Sequence, residues 1–465
     1  MCRMTALWTS DEIAQAVSGT ANGAFECNGV AFDSREIGGG DLFFAMKGEH
    51  SDGHRFAAQA FASGATGAVV SEAVDGPHIL VPDTMRALEQ LGIASRARVS
   101  AKIIGVTGSA GKTGTKEAIY AALDRCSPGK VHRSVKSYNN HVGVPLSLSR
   151  MPRDCQYGVF EMGMNHAYEI SALTRFVRPH VAVITTIAPA HIENFKDESG
   201  IADAKSEIFE GLEPGGVAII PADNPHYPRL LDHARKYTSN IVSFGFSESA
   251  DVRCIDHMTN SAGGSLVTAK LPGTMLQYEL SQPGEHWVSN SLAVLAAVHA
   301  VGGDLAVAGL ALADMGGLAG RGARHHIEVP GGTALLIDES YNANPASMAA
   351  TLAGLGNASA DRRIAVLGAM KELGAQSPEF HRALQQPIES ANVNLLLLVG
   401  EEMAPLAEAL AGEIAWAGKF AHCGSVGEAS QRLRDETRAG DAILIKGSNS
   451  VGLSAVVEAM LGGGD

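Results

Sequence analysis

Short apolar runs alternate with glycine-bearing turns and amphipathic stretches along most of the chain, the rhythm of buried strands with helices packed on them. In residues 1–100 the runs GDLFFAMKG, GAVVSE and HILVPD predict strands, and HRFAAQAFASGA and TMRALEQLGIASRARV predict helices. A break falls near Val99 to Lys102, after which IIGVTGSAGKTGTKEAIYAAL reads as buried strand, glycine loop and helix. The strand rhythm continues in YGVFEMG, VAVITTI, GGVAIIP and NIVSFGF. Residues 251–283 predict hairpins, and helices are expected over 286–302 and 304–316. The glycine-rich GGLAGRG at 316–322 reads as a linker. Beyond it TALLIDES, RIAVLGAM, NLLLLVG and DAILIKGS repeat the strand pattern. The expected architecture is therefore α/β in three units, 1–100, 101–317 and 318–465, the central one built on a mostly parallel sheet.

Composition narrows the function. The 465 residues are 45% hydrophobic and 18% charged, ordinary for a folded globular protein. Lys plus Arg number 36 against 50 Asp plus Glu, a net charge of −14, which disfavours general binding of nucleic acid or an anionic membrane. Any phosphate site must come from a few focused groups. Six scattered cysteines, Cys2, Cys27, Cys126, Cys155, Cys254 and Cys423, show no paired spacing and suggest reduced thiols. The N-terminus lacks the apolar core of a signal peptide, and the best candidate for a membrane span, Leu292 to Val301, is short and contains His299. A cytoplasmic location is expected.

The sharpest motif is Thr107-Gly108-Ser109-Ala110-Gly111-Lys112-Thr113, set between an apolar strand and a helix. Glycines let backbone N–H groups approach phosphate oxygens, the helix N-terminus adds positive potential, Lys112 suits β/γ-phosphates, and the Thr113 hydroxyl suits Mg2+. Val106 stands where the strict P-loop pattern has its first glycine. The motif predicts a nucleoside triphosphate and does not by itself say for which reaction. Glu161 in FEMGMN and His191 in APAHIENF fall at or beyond predicted strand ends, where an open α/β sheet places its ligand crevice. Taken alone, either is an ordinary turn or structural residue, and Lys205 in ADAKSEIF is by default a surface charge.

The segments SYNNHVGVPLSLSRMP, VFEMGMN, ITTIAPAHIENF, AKSEIF and DESYNANPASM, with FDSREIGGGDLFFAMKGEHSDGHRF near the N-terminus, resemble those of the Mur ligase family across all three units. The resemblance implies a small N-terminal substrate domain, a central P-loop ATPase domain and a C-terminal Rossmann-like domain. YNANPASM and VLGAMKELG point within the family to the member that joins D-alanyl-D-alanine to UDP-N-acetylmuramoyl-tripeptide through an acyl phosphate. The DNPR motif expected of the diaminopimelate-adding relative is absent.

Carried onto this sequence, the resemblance implies Thr113, Glu161, His191 and Lys205 as holders of Mg2+, with two ions and with Lys205 carbamylated. Lys112, Lys205 and His191 are the implied catalytic residues. ATP contacts are implied for Gly108, Ser109, Ala110, Gly111, Lys112 and Thr113, with Asn290 on adenine, Arg321 on phosphate and Asp338 on ribose. Ser34, Arg35, Lys47, Asp52 and His54 would hold the uridine nucleotide, and Asn139 and Asn140 the sugar-peptide end. A monomer is expected. Trp287 stands where the family usually has asparagine, Ala369 where it usually has an acidic residue, and Asn449 where it usually has arginine. Two other readings stay open: a relative with the same ATPase core and another acceptor, including a folylpolyglutamate synthase, and a P-loop switch protein that makes no peptide bond.

Overall fold

The computed structural model describes residues 6–48, 51–260 and 263–462, so Cys2 lies outside the described residues. The first unit is built on a five-stranded sheet with spatial order Thr20–Asn22, His78–Leu80, Gly67–Val70, Asp41–Phe44, Gly29–Ala31, parallel except at the first pair. Its long helix, Thr84–Ala97, starts at Asp83, whose carboxylate accepts from the N–H groups of Met85 and Arg86 at 2.8 and 3.0 Å. Gly92 on this helix lies so near the central unit's helix Gly143–Ser149 that a Cβ would come 3.0 Å from the Pro145 carbonyl oxygen. A bulkier residue there would push the two units apart.

The central sheet has nine strands, ordered Thr274–Leu280, Ser265–Leu271, Val252–Thr259, Asn240–Gly245, Val217–Pro221, Val181–Ile184, Lys102–Thr107, Tyr157–Glu161, Val131–Arg133. The expected hairpins are the first three strands, which pair antiparallel and extend the six-stranded parallel portion at one edge. Lys102–Thr107 is buried from Ile103 onward, as a strand covered on both faces must be. The helix Glu285–Ala300 is almost wholly apolar from Leu292 to Val298 because it is enclosed against that sheet.

The third sheet runs Ala323–Val329, Gly332–Glu339, Asp441–Lys446, Arg362–Gly368, Leu395–Val399, Phe420–Cys423, with only the first pair antiparallel. One continuous apolar cluster joins it to the central unit, including Ile187 and Ile192 on one side and Met370 and Leu373 on the other. That shared core seats the carboxyl ends of the third sheet's strands over those of the central sheet.

Candidate active site

The P-loop leaves its strand at Thr107 and enters the helix Lys112–Cys126 through Gly111, whose φ of +79° favours glycine. A Cβ on Gly111 would also come 2.8 Å from Nδ2 of Asn290. The loop is stitched to the neighbouring strand's exit: the Ser109 N–H donates to the Thr186 carbonyl at 2.9 Å and its hydroxyl to the Ala188 carbonyl at 2.8 Å. Lys112 folds back so that Nζ donates to the Gly108 carbonyl at 2.7 Å. Burial pushes its ammonium below the usual lysine range, with Glu161 opposing that shift. A phosphate would restore a full counter-charge.

Glu161, at the end of the adjacent strand, is 1% exposed, and its two oxygens accept from the Thr113 hydroxyl at 2.8 Å and Asn139 Nδ2 at 2.7 Å. Lys205, by default a surface charge and by the family resemblance a metal-site residue, is also 1% exposed, on the helix Glu198–Ser206. Among the described residues its Nζ has no hydrogen-bond or ion-pair partner. Burial, reinforced by the nearby Lys112 charge, holds its amine well below the usual lysine range. His191 adopts a left-handed backbone, φ 59°, and its Nδ1 meets the Glu372 carboxylate of the third unit. That contact holds the Glu372 carboxyl below its usual range.

Between the central and third sheets lies a cavity of about 550 Å³ lined by the P-loop, Glu161 and His191, by Trp287 and Asn290, and by Arg321, Glu339, Asn344 and Lys446. Asn290 lies within the helix Glu285–Ala300 rather than at its cap. One turn earlier, Trp287 packs on Gly114, where a Cβ would come 2.7 Å from the indole edge. Arg321 stacks its guanidinium 4.1 Å from the centre of the Tyr341 ring and donates to the Ser137 hydroxyl at 3.0 Å.

Asp338 does not line the cavity. Its oxygens accept from the N–H of Gly320 at 2.7 Å and from the N–H and hydroxyl of Ser340 at 3.1 and 2.6 Å, so it pins the linker. The carboxylate on the cavity wall is the next residue, Glu339, whose partner is buried Lys446 at 3.5 Å. Sequence reasoning missed Glu339, Lys446 and Asn344.

The chain matches the Mur ligase family catalytic domain over residues 26–128, the Mur ligase middle domain over 106–298 and the Mur ligase glutamate ligase domain over 325–449. It belongs to the Mur ligase family. A UDP-N-acetylmuramoyl-tripeptide–D-alanyl-D-alanine ligase of Rickettsia prowazekii is 33% identical over 457 residues, covering 97% of this chain and 99% of the relative. The crystal structure of MurF from Acinetobacter baumannii is 30% identical with a TM-score of 0.84, covering 98% of this chain and 99% of that one. MurF ligase from Thermotoga maritima in complex with ADP is 25% identical with a TM-score of 0.76, covering 94% and 97%. The three-unit α/β expectation is thus met by the Mur ligase fold.

In this Mur ligase the N-terminal candidates Lys47, Asp52 and His54 form a polar cluster of their own. His54 Nδ1 meets Asp52 at 2.6 Å, its Nε2 accepts from the Ser71 N–H at 2.9 Å, and Lys47 pairs with Glu72 at 3.4 Å. Ser34 is buried beside Asp33, while Arg35 is exposed and holds the Asp33 carboxyl down to about 2. Glu36 then reaches the central unit through the Tyr138 hydroxyl at 3.0 Å. Of the substrate-side candidates only Asn139 lines the large cavity. Asn140 instead accepts from the N–H of Gly143 at 2.9 Å, opening the next helix.

Among the described residues no group of three or more His, Cys, Asp or Glu is placed to hold a metal ion. The oxygens of Thr113 and Glu161 at the P-loop nevertheless fit a hard cation, whose remaining ligands would be phosphate and water oxygens. Among the described residues no helix is long and apolar enough to cross a membrane, and the five described cysteines are free.

Proposed function

We propose that this Mur ligase joins D-alanyl-D-alanine to UDP-N-acetylmuramoyl-tripeptide, giving UDP-N-acetylmuramoyl-pentapeptide, ADP and phosphate. The observation that carries the reading is the P-loop cavity roofed by the third sheet, in a chain that aligns end to end with D-alanyl-D-alanine-adding relatives.

The tripeptide carboxylate attacks the ATP γ-phosphoryl group, forming the acyl–phosphate bond as the bond to ADP breaks. The dipeptide amine then attacks the acyl carbon, phosphate leaves and the amine proton is lost. Lys112 and Arg321 offset charge on the phosphoryl oxygens, which is the main task in phosphoryl transfer. Mg2+ bound near Thr113 and Glu161 would supply further charge neutralisation. No side-chain nucleophile is needed. A seated third unit excludes water that would otherwise hydrolyse the acyl phosphate. Asn290 and Trp287 form the base side of the cavity and Glu339 the ribose side.

Lys205 is carbamylated in this reading. Burial and the nearby Lys112 charge favour loss of its ammonium proton, which frees a lone pair to attack CO2; the N–C bond forms, a proton leaves, and an anionic oxygen donor stands where the amine was. His191 and that carbamate would serve the second Mg2+. The first unit holds the uridine nucleotide through the cluster around Asp52 and His54, and the third unit takes the dipeptide. The enzyme works as a monomer in the cytoplasm.

Mass spectrometry of a reaction containing ATP, UDP-N-acetylmuramoyl-tripeptide and D-alanyl-D-alanine tests this assignment. The expected product is heavier than the tripeptide nucleotide by one dipeptide less water. An unchanged tripeptide nucleotide alongside full ATP hydrolysis would favour the P-loop switch instead.

A further inference from the structure

Two non-glycine residues in left-handed backbone meet across the junction of the central and third units, His191 at φ 59° and Glu372 at φ 63°. L side chains rarely adopt this conformation, and it persists where surrounding contacts impose it. Here both loops are anchored. Ile192 follows His191 into the shared apolar core, and Met370 and Leu373 flank Glu372 within the same core. The Glu193 N–H points to the Glu372 carbonyl at 3.5 Å, and Gly374 lies so close that a Cβ would come 2.9 Å from the Glu193 Cβ. An exposed ion pair on mobile side chains is worth little. This one sits on two backbones fixed against each other.

The His191 ring lines the large cavity while its Nδ1 is buried against Glu372, which leaves Nε2 as the ring nitrogen for a ligand. We propose that Glu372 is a positioning residue: it fixes the His191 ring through Nδ1 so that Nε2 serves a divalent cation. Because Glu372 belongs to the third unit, it does so only when that unit is seated over the P-loop. The inference rests on the reading of His191 as a Mg2+ ligand. A carboxylate behind a ligating histidine sets ring orientation and donor strength, and its loss costs metal affinity. Cation binding and seating of the third unit then favour each other reciprocally.

Mn2+ binding to the full chain in the presence of ADP, followed by electron paramagnetic resonance, tests this, with melting temperature measured alongside. Glu372→Gly removes the carboxylate but suits the left-handed backbone, so it should melt at or above the parent temperature while binding Mn2+ roughly tenfold more weakly. His191→Ala should weaken binding as well, and Glu372→Gly added to it should change nothing further. Glu372→Gln, whose amide keeps the bulk and an acceptor oxygen beside Nδ1, should retain most of the affinity. Parent-like Mn2+ binding by Glu372→Gly, with His191→Ala weakened, overturns the positioning role and leaves the ligand reading intact. Parent-like binding by His191→Ala removes the ligand reading and this inference with it. A Glu372→Gln loss as large as that of Glu372→Gly would show that charge rather than orientation matters, and would also end it.

Discussion

Nδ2 of Asn344 donates to the Ser109 carbonyl at 3.2 Å, so the residue that opens a third-unit helix also closes onto the phosphate loop. Its Oδ1 accepts from the Ser347 N–H at 2.9 Å and caps the helix Pro345–Gly356. The two tasks divide by atom. Asn344→Asp keeps the cap and loses the donor, so thermal stability should hold while the KM for ATP rises several-fold. Asn344→Ala loses both and should cost a further ~1 kcal/mol in denaturant unfolding. Equal ATP affinity in the Asp variant would show that the Ser109 contact does nothing for nucleotide binding.

On the proposed carbamate reading, Lys205→Ala should abolish turnover, because the group removed is then an anionic oxygen donor and not a surface charge. A small carboxylate such as formate should restore part of the rate, whereas chloride at equal ionic strength should not. Lys205→Arg should be as inactive as alanine, since guanidinium does not form the carbamate. An active arginine variant would mean that positive charge is what the position supplies.

The P-loop was legible because its glycines, lysine and threonine are contiguous and their spacing alone encodes the turn. Glu161 was legible as a strand-end residue. The third unit's contribution was harder to read, since Glu339 and Lys446 meet only through parallel pairing of strands about a hundred residues apart, and Asn344 reaches Ser109 only across the junction of the units. Asp338 and Glu339 show the limit most sharply. Adjacent residues of a strand face opposite sides, so a one-residue ambiguity decides which carboxylate meets the cavity and which pins the linker. Strand alternation in TALLIDES was the available signal. Lys205 carries no local mark of burial, because its enclosure is tertiary. The strand Phe420–Cys423 escaped notice because FAHC is short and half polar.

Trp287 is the tryptophan on the cavity wall, while Trp8 and Trp416 are 3% and 5% exposed in separate cores. Binding of ATP should therefore change tryptophan emission mainly through Trp287, and Trp287→Phe should remove most of that change. An undiminished signal in the variant would place the base away from this wall.

His132 is held neutral at ordinary pH: burial pushes its pKa down to about 4, against a partly opposing bond to the Ser147 carbonyl at 2.7 Å. With the folded value below the unfolded one, the unfolded chain binds more protons between roughly pH 4 and 6.5, so stability rises with pH through that window. His132→Gln should flatten this limb of the profile by up to roughly 3 kcal/mol. Denaturant midpoints at pH 4.5 and 7 check it, and an unchanged difference between them would contradict a neutral, largely enclosed ring.

In the proposed reaction, ATP cleavage is coupled to joining two particular partners. Phosphate release should be measured with ATP and Mg2+ present throughout and each partner omitted in turn. Sustained release is expected only when UDP-N-acetylmuramoyl-tripeptide and D-alanyl-D-alanine are both present. Sustained release with neither, or with free diaminopimelate in place of the dipeptide, would contradict it.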